Sequence, residues 1–158
     1  MTIKLQRANT NHSKIIAALL FELLEEIMET TGKKSFHFDE KETVLLIQDF
    51  LEKNQLVIFL AEDTLQGKMV GFISLCECHA LYTSGIFGLI PELFVQPPFR
   101  SSKIGKSLLN VAKQNGASKG WKSLEVTTPP LPSFDRTLQF YEDHGFSIAG
   151  GRKMKLLL

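Results

Sequence analysis

The first part of the chain alternates between strand-like and helical patterns of hydrophobic residues. Residues 3–7 alternate in the way a half-buried strand does, and a stripe with a period of about 3.6 residues follows. Asp39 with Glu42 three positions later is typical of a helix start, and the second helical pattern runs to about Lys53. The stripe consists of Ile15, Ile16, Leu19, Leu20, Leu23, Leu24 and Ile27. We therefore expect one strand and then two helices.

The middle of the chain is rich in Val, Ile, Phe and Leu. Residues 56–62 and 69–79 flank a turn-forming sequence at 65–68, which predicts an antiparallel hairpin. Another strand is expected over residues 87–95. It should end at Gln96-Pro97-Pro98, because proline has no N–H to donate to a sheet. Helical spacing returns after Ser102.

The last forty or so residues predict a strand, a short helix and a closing hairpin. The strand covers residues 121–127. Ser133 is a suitable N-cap for the helix, which Gly145 closes. Residues 146–149 and 153–158 can pair as two further strands.

The predicted order of elements is β-α-α-β-β-β-α-β-α-β-β. A strand, helix and strand in succession require a parallel pair, whereas the front half is antiparallel. The fold class is therefore α/β: a mixed, mostly antiparallel sheet with a central parallel pair and helices on both faces. A chain of 158 residues with 44% hydrophobic positions suits one core, so we expect a single domain over residues 1–158.

Composition excludes several classes of partner. A formal net charge of +1 with 22% charged residues gives no basic surface for nucleic acid. No segment approaches the run of about 20 apolar residues that a membrane span needs, and no leader is apparent, so we expect a soluble cytoplasmic protein. Cys76 and Cys78 fall on one face of a strand, which is unsuitable for a disulfide, and a metal site would lack further ligands.

The segment between the strand ending at Val95 and the next helix combines small and basic residues. A helix start offers unpaired N–H groups and a positive dipole end, which favour an anion. The small residues are Ser101, Ser102 and Gly105, and the basic ones are Arg100, Lys103 and Lys106. The alternative is a serine cap with solvated lysines. A P-loop is excluded, because Arg100 stands where that motif requires glycine.

Two motifs in this sequence resemble those of the GNAT N-acetyltransferase superfamily. Val95, Pro97, Arg100 and Gly105, followed by Leu108-Leu109, are similar to its acyl-CoA-binding segment. Residues 140–146 are similar to its closing Tyr-x-x-x-Gly-Phe signature. Lys103 replaces the first glycine of that segment, and Phe134 stands where the family often has asparagine. The motifs cover residues 90–147.

The resemblance implies that acetyl-CoA is the cosubstrate. The strand before the helix would be splayed from its neighbour, and backbone groups of Phe94 and Val95 would pair with the pantetheine arm. The pyrophosphate would be held by Arg100, Ser101, Ser102, Lys103, Ile104, Gly105 and Lys106. Lys103 should add a charged contact where the family has glycine, or else point to solvent.

Glu92 and Tyr141 are the candidates for proton transfer. Glu92 is the only carboxylate in residues 87–95, and desolvation there would raise its pKa. It could be the general base, or else a solvent-facing residue or a partner for charge on the substrate. The resemblance places the Tyr141 hydroxyl near the CoA sulfur, where it could protonate the leaving thiolate. Core packing is the alternative.

The predicted reaction is direct transfer of an acetyl group to a primary amine in a ternary complex. The acceptor could be a small molecule, a peptide or a protein, and we expect the first two helices with residues 31–38 and 82–85 to bind it. The alternatives are a non-catalytic acyl-CoA-binding or protein-interaction domain on the same fold, and a small α/β protein that merely echoes the motif. A homodimer stays open.

Overall fold

The structure is a computed structural model that describes residues 1–83 and 85–158. Residues 1–127 form one compact unit, and residues 128–158 form another. The strands, all in the first unit, are β1 Ile3–Arg7, β2 Val57–Asp63, β3 Lys68–Ala80, β4 Gly85–Ile90, β5 Leu93–Val95 and β6 Leu124–Val126. Its helices are α1 Ser13–Thr31, α2 Glu40–Glu52 and α3 Ile104–Ser118, and the second unit contains α4 Asp135–Asp143. Residue 84 of the predicted acceptor segment lies outside the described residues.

Local chemistry accounts for the limits of the first two helices. The α1 helix ends at Gly32, which adopts the left-handed conformation with φ 68°. The α2 helix begins after Asp39, whose carboxylate accepts a hydrogen bond from the N–H of Glu42 at 2.9 Å. Neither helix, nor any other that the structure describes, is long and apolar enough to span a membrane.

The sheet is mixed, with the order β1-β2-β3-β4-β6, and β5 pairs with β3 beside β4. The β4–β6 pair is parallel, and the other described pairs are antiparallel. Strand β3 is long enough to pair first with β5, at Gly71 opposite Val95, and then with β4, at Cys76 opposite Leu89. The predicted fold class is confirmed, except that the parallel pair is not central: β6 lies at one end of the described strand order.

Both faces of the sheet are covered by helices. On one face, Phe72 is buried in a cluster with Ile16 of α1 and Ile47 of α2. Side chains alternate along a strand, so the neighbouring Ile73 points to the opposite face, where it is also fully buried. The α3 helix packs against β2, β3 and β5, and Leu108 is one of its fully buried apolar side chains.

The strand expected over residues 87–95 is wrong in one respect, because the structure divides it into β4 and β5. Pro91 and Glu92 lie between the two strands. Proline cannot donate to a ladder, so Pro91 interrupts the pairing that an apolar run otherwise favours. The break allows β4 to pair with β6 while β5 does not.

The closing hairpin is also wrong. Residues 145–158 contain no strand, and Met154 and Leu158 are among the exposed large apolar residues. A two-stranded hairpin has only marginal stability in water unless a third strand pairs with it or one of its faces is packed. Apolar composition alone therefore does not produce one. The strand predicted over residues 121–127 is shorter than expected and covers Leu124–Val126.

Candidate functional site

The sheet opens beside β5. Strand β4 pairs with β3 along one edge and with β6 along the other. Strand β5 also pairs with β3, but among residues 1–83 and 85–158 no strand pairs with its second edge. The chain leaves this edge at Gln96 and passes through a short 3-10 helix, Pro97–Phe99, before α3. The splayed strand that the resemblance implies is therefore present, and it leads directly into the basic segment.

The register of β5 determines which backbone groups face the open edge. The N–H of Ser74 donates to the carbonyl of Glu92 at 3.0 Å, and the N–H of Gln96 donates to the carbonyl of Val70 at 2.9 Å. Because antiparallel pairing alternates, Phe94 also directs its N–H and carbonyl at β3. Leu93 and Val95 direct theirs to the open edge. The pairing of Phe94 with pantetheine stays a prediction, and in this register the backbone groups at the open edge belong to Leu93 and Val95.

The connection after β5 forms a concave set of backbone donors. Ser101 and Lys103 have φ values of 68° and 66°, and the right-handed helix begins at Ile104. A left-handed residue beside right-handed ones turns successive N–H groups into one anion-binding concavity. In the described part of the chain, the N–H groups of residues 101–106 donate to no other group. These unpaired N–H groups lie at the N-terminal, positive end of α3, and we call residues 101–106 the cradle.

The side chains of the cradle have different surroundings. The Ser102 hydroxyl donates to the carbonyl of Phe99 and so stabilises the turn. Ile104 is 2% exposed and anchors the first turn of α3 in the core, which leaves its N–H as its contribution to the cradle. Lys103 and Lys106 are exposed. Lys103 therefore adopts a left-handed backbone conformation, which favours glycine, while its side chain reaches solvent.

The Arg100 guanidinium is engaged outside the cradle. Its two terminal nitrogens donate to the Glu26 carboxylate at 2.8 and 2.7 Å, and its Nε donates to the Val95 carbonyl at 2.8 Å. It also lies over the Phe94 ring, 5.6 Å from the ring centroid. The sequence predicted Arg100 as a source of charge for the pyrophosphate, whereas these contacts direct it to α1 and β5.

Glu92 lies where β4 and β5 separate, and both its carboxylate and its backbone N–H are hydrogen-bonded to the Ser74 hydroxyl. The Ser74 hydroxyl donates to the Glu92 carboxylate, and the Glu92 N–H donates to Ser74 Oγ at 3.0 Å. Burial raises the pKa of Glu92, and the hydrogen bond from Ser74 lowers it in part. This is a carboxylate whose basicity is increased by desolvation and whose position is held by a neighbouring strand.

Two thiols share the face of β3 on which Ser74 lies, because residues 74, 76 and 78 alternate with the opposite face. Cys76 and Cys78 are free and half-buried. Burial, reinforced by Cys78 and Glu92, raises the pKa of Cys76 to about 11. The Cys76 thiol is therefore neutral at physiological pH and a weak nucleophile.

Tyr141 belongs to α4 in the second unit. Its ring makes edge contacts with Phe140 and Phe146, with centroids 5.4 and 5.3 Å away. Burial raises the pKa of Tyr141, so its phenol is a neutral donor at physiological pH. Its hydroxyl has no hydrogen-bond partner among the residues described. Its predicted role as the acid stays a prediction.

The sequence did not identify the residues that hydrogen-bond to this site from distant positions in the chain. Ser74 is buried in β3, and Glu26 lies 74 positions before its partner Arg100. Glu22 of α1 accepts a hydrogen bond from Gln96 Nε2 at 2.8 Å. The one available signal is that Glu22 and Glu26 are four positions apart, and therefore on one face of a helix.

Comparisons with known proteins identify a family and a shared fold. A family model described as an acetyltransferase (GNAT) domain matches residues 54–148. An aminoalkylphosphonate N-acetyltransferase of Salmonella typhimurium is 39% identical over 62 residues, 39% of this chain and 40% of the relative. The uncharacterized N-acetyltransferase YhfO of Bacillus subtilis is 30% identical over 96 residues, 61% of this chain and 62% of the relative. The chain therefore spans less than two thirds of either curated relative.

Solved structures share the fold. One is a Clostridium acetobutylicum protein described as a predicted acetyltransferase with acetyl-CoA, with a TM-score of 0.79 and 14% identity over 99% of this chain and 96% of the other. A Trypanosoma brucei acetyltransferase has a TM-score of 0.73 and 22% identity, covering 99% of this chain and 100% of the other. At such identities the likeness concerns the fold.

Proposed function

The chain belongs to the GNAT acetyltransferase family, and from this premise we propose that it transfers an acetyl group from acetyl-CoA to a primary amine. The observation that carries the proposal is the continuity between the open edge of β5 and the unbonded N–H groups of residues 101–106. An extended amide chain ending in a diphosphate has the chemistry that these two features complement.

The residues of the site fit such a cosubstrate. The backbone of Leu93 and the N–H of Val95 would pair with the amide groups of the pantetheine arm, as an added strand does. The Val95 carbonyl already accepts a hydrogen bond from Arg100 Nε. The N–H groups of residues 101–106 would hold the diphosphate, with Lys103 and Lys106 contributing charge from solvent. Acetyl-CoA supplies the acyl group as an activated thioester.

We propose Glu92 as the general base. A primary amine with a pKa of about 10.4 is neutral in only about one molecule in a few thousand at pH 7, so a proton acceptor raises the reactive fraction. Glu92 first takes a proton from the ammonium group and passes it to solvent, and the neutral nitrogen then forms a bond to the thioester carbonyl carbon. The nitrogen gives its second proton to the Glu92 carboxylate as the amide forms. The carbon–sulfur bond then breaks. The raised pKa of Glu92 supports this role, because a stronger base accepts the proton more readily.

We propose Tyr141 as the acid that returns a proton to the CoA sulfur. Its phenol stays protonated at neutral pH, and its hydroxyl is not committed to another hydrogen bond among the described residues. The neutral Cys76 thiol favours direct transfer in a ternary complex over an acyl-cysteine enzyme.

The acceptor in this proposal is a primary amine on a small molecule or a peptide. The aminoalkylphosphonate named for the Salmonella relative makes small aminophosphonates the first compounds to assay. Polyamines, amino-sugars and N-terminal peptides extend the panel. A homodimer is compatible with the proposal and is not required by it.

Calorimetry and a thiol-release assay test the proposal together. We expect CoA and acetyl-CoA to bind and pantetheine, which lacks the diphosphate, to bind more weakly. We also expect CoA release with at least one amine of the panel. Absence of binding by acetyl-CoA and CoA would refute the proposed function. Binding without turnover across the panel would instead favour a non-catalytic acyl-CoA-binding domain.

A further inference from the structure

Two polar contacts connect α1 to the segment between β5 and α3. Glu22 accepts a hydrogen bond from Gln96 at 2.8 Å, and Glu26 pairs with Arg100 at 2.7 Å. Glu22 and Glu26 are about one helical turn apart on the same face of α1. Their partners lie on either side of the 3-10 helix Pro97–Phe99. The entry to the cradle is therefore attached to α1 at both ends of that helix.

The Arg100 contacts leave the guanidinium with little freedom. One edge of its planar group meets the two oxygens of Glu26, and Nε meets the carbonyl of Val95. Bidentate pairing of this kind is directional, unlike the contact of an ammonium group. The side chains of Arg100 and Glu26 are 42% and 33% exposed, so water only partly screens the pair.

We propose that Arg100 is a strut of the cradle, meaning a side chain that fixes the backbone leading into the cradle without contacting the ligand. Glu26 is its positioning residue. The pair ties the end of β5 to α1 and thereby sets the path of the backbone into residues 101–106, whose N–H groups are the anion-binding donors. Arg100 acts on the diphosphate through that backbone and not by direct contact. The identity of the ligand rests on the proposed function, whereas the strut itself does not.

A direct phosphate contact by Arg100 would have different consequences. The guanidinium would have to leave Glu26, and the carboxylate would then compete with the diphosphate for the same cation. Removing the Glu26 charge would free Arg100 and tighten CoA binding. If Arg100 is a strut, removing the Glu26 charge loosens the backbone of the cradle and weakens CoA binding. The two mechanisms therefore predict opposite effects of one substitution.

Calorimetry with CoA on Glu26→Gln, Arg100→Gln and the double variant separates them. We expect each single variant to weaken binding by about threefold to tenfold, and the double variant to be no weaker than either single one. Glu25→Gln is the matched control, since Glu25 is exposed and adjacent on α1, and it should bind like the wild type. Tighter binding by Glu26→Gln would overturn the strut.

Arg100→Lys provides a readout that general destabilisation would not. It keeps the positive charge and loses the planar fork. A strut predicts that KM for acetyl-CoA rises as much in Arg100→Lys as in Arg100→Gln, with kcat little changed. A phosphate contact predicts that lysine largely restores the KM. Recovery of the wild-type KM in Arg100→Lys would therefore contradict the proposal.

Backbone dynamics of the free protein test the strut without any cosubstrate. We expect ¹⁵N order parameters of residues 101–106 to fall in Glu26→Gln and to stay at wild-type values in Glu25→Gln. Unchanged order parameters in Glu26→Gln would refute the strut. If wild-type protein binds no CoA while these order parameters still fall, the proposed function fails and the strut stands.

Discussion

The Ser74 hydroxyl donates to the Glu92 carboxylate, and the Glu92 N–H donates back to the same hydroxyl oxygen at 3.0 Å. This reciprocal contact joins β3 to the connection at which β4 and β5 part. It therefore holds an ionisable group beside the open edge of the sheet. Burial raises the pKa of Glu92 and the hydroxyl opposes that rise, so the basicity of the carboxylate depends on a residue 18 positions away.

Replacing Glu92 by glutamine should lower kcat/KM by about a hundredfold or more, because a general base contributes factors of that size. A base must be unprotonated to act, so wild-type kcat/KM should rise with pH through the Glu92 pKa, which lies above the ordinary carboxyl value. The variant should lack this rise. A pH profile of kcat/KM measures both effects. Glu29→Gln, on the exposed part of α1, should keep the wild-type profile.

Removing the Ser74 hydroxyl should move the same pH dependence upwards. The hydroxyl stabilises the ionised form of Glu92, and Ser74→Ala therefore raises the pKa of Glu92 further. The midpoint of the acidic limb in kcat/KM should shift to higher pH. Cys76→Ala is the control, since the neutral thiol beside Glu92 donates no comparable bond to it. A midpoint that stays in place, or that moves to lower pH, would exclude this role for Ser74.

Tyr141→Phe should slow turnover by about tenfold to a hundredfold while leaving the CoA dissociation constant near the wild-type value. The hydroxyl has no partner among the described residues, so its loss orphans no buried group and the melting temperature should change little. Equal turnover in wild type and Tyr141→Phe would remove Tyr141 from the acid role.

Lys103→Gly and Lys106→Gly each remove one positive charge, but Lys103 has a left-handed backbone conformation and Lys106 a right-handed helical one. Lys103 has φ 66°, which costs a non-glycine residue about 1 kcal/mol, so glycine there should maintain or raise the melting temperature. Lys106 lies in the first turn of α3, where glycine costs about 1 kcal/mol and should lower the melting temperature by about 2–4 °C. Thermal melts of both variants test this. A larger loss of stability in Lys103→Gly would contradict it.

Much of the fold was predictable because its signals are local. The α2 cap at Asp39, the β2–β3 hairpin and the helix after Ser102 follow from turn chemistry and periodicity within a few residues. The break at Pro91 also had a local signal, which the apolar run around it concealed. The prediction of a single domain over residues 1–158 stays a prediction.

The closing strands could not be decided locally. The residues from 145 onwards have apolar side chains that suit a strand, yet a strand exists only through the hydrogen bonds of a neighbour. The structure provides no such neighbour among the described residues, and the segment has no regular structure.

The sequence by itself determined the chemistry available to this protein: the basic segment after β5, the carboxylate Glu92 and the phenol Tyr141. Only the tertiary structure decided how two of these groups are placed, by pairing Glu92 with Ser74 and Arg100 with Glu26. The physical reason is that residue type fixes charge and hydrogen-bonding capacity, whereas pKa and orientation depend on burial and on partners distant in the chain. The register of β3 and β5 likewise directs the backbone groups of Leu93 to the open edge, whereas the resemblance had implied those of Phe94.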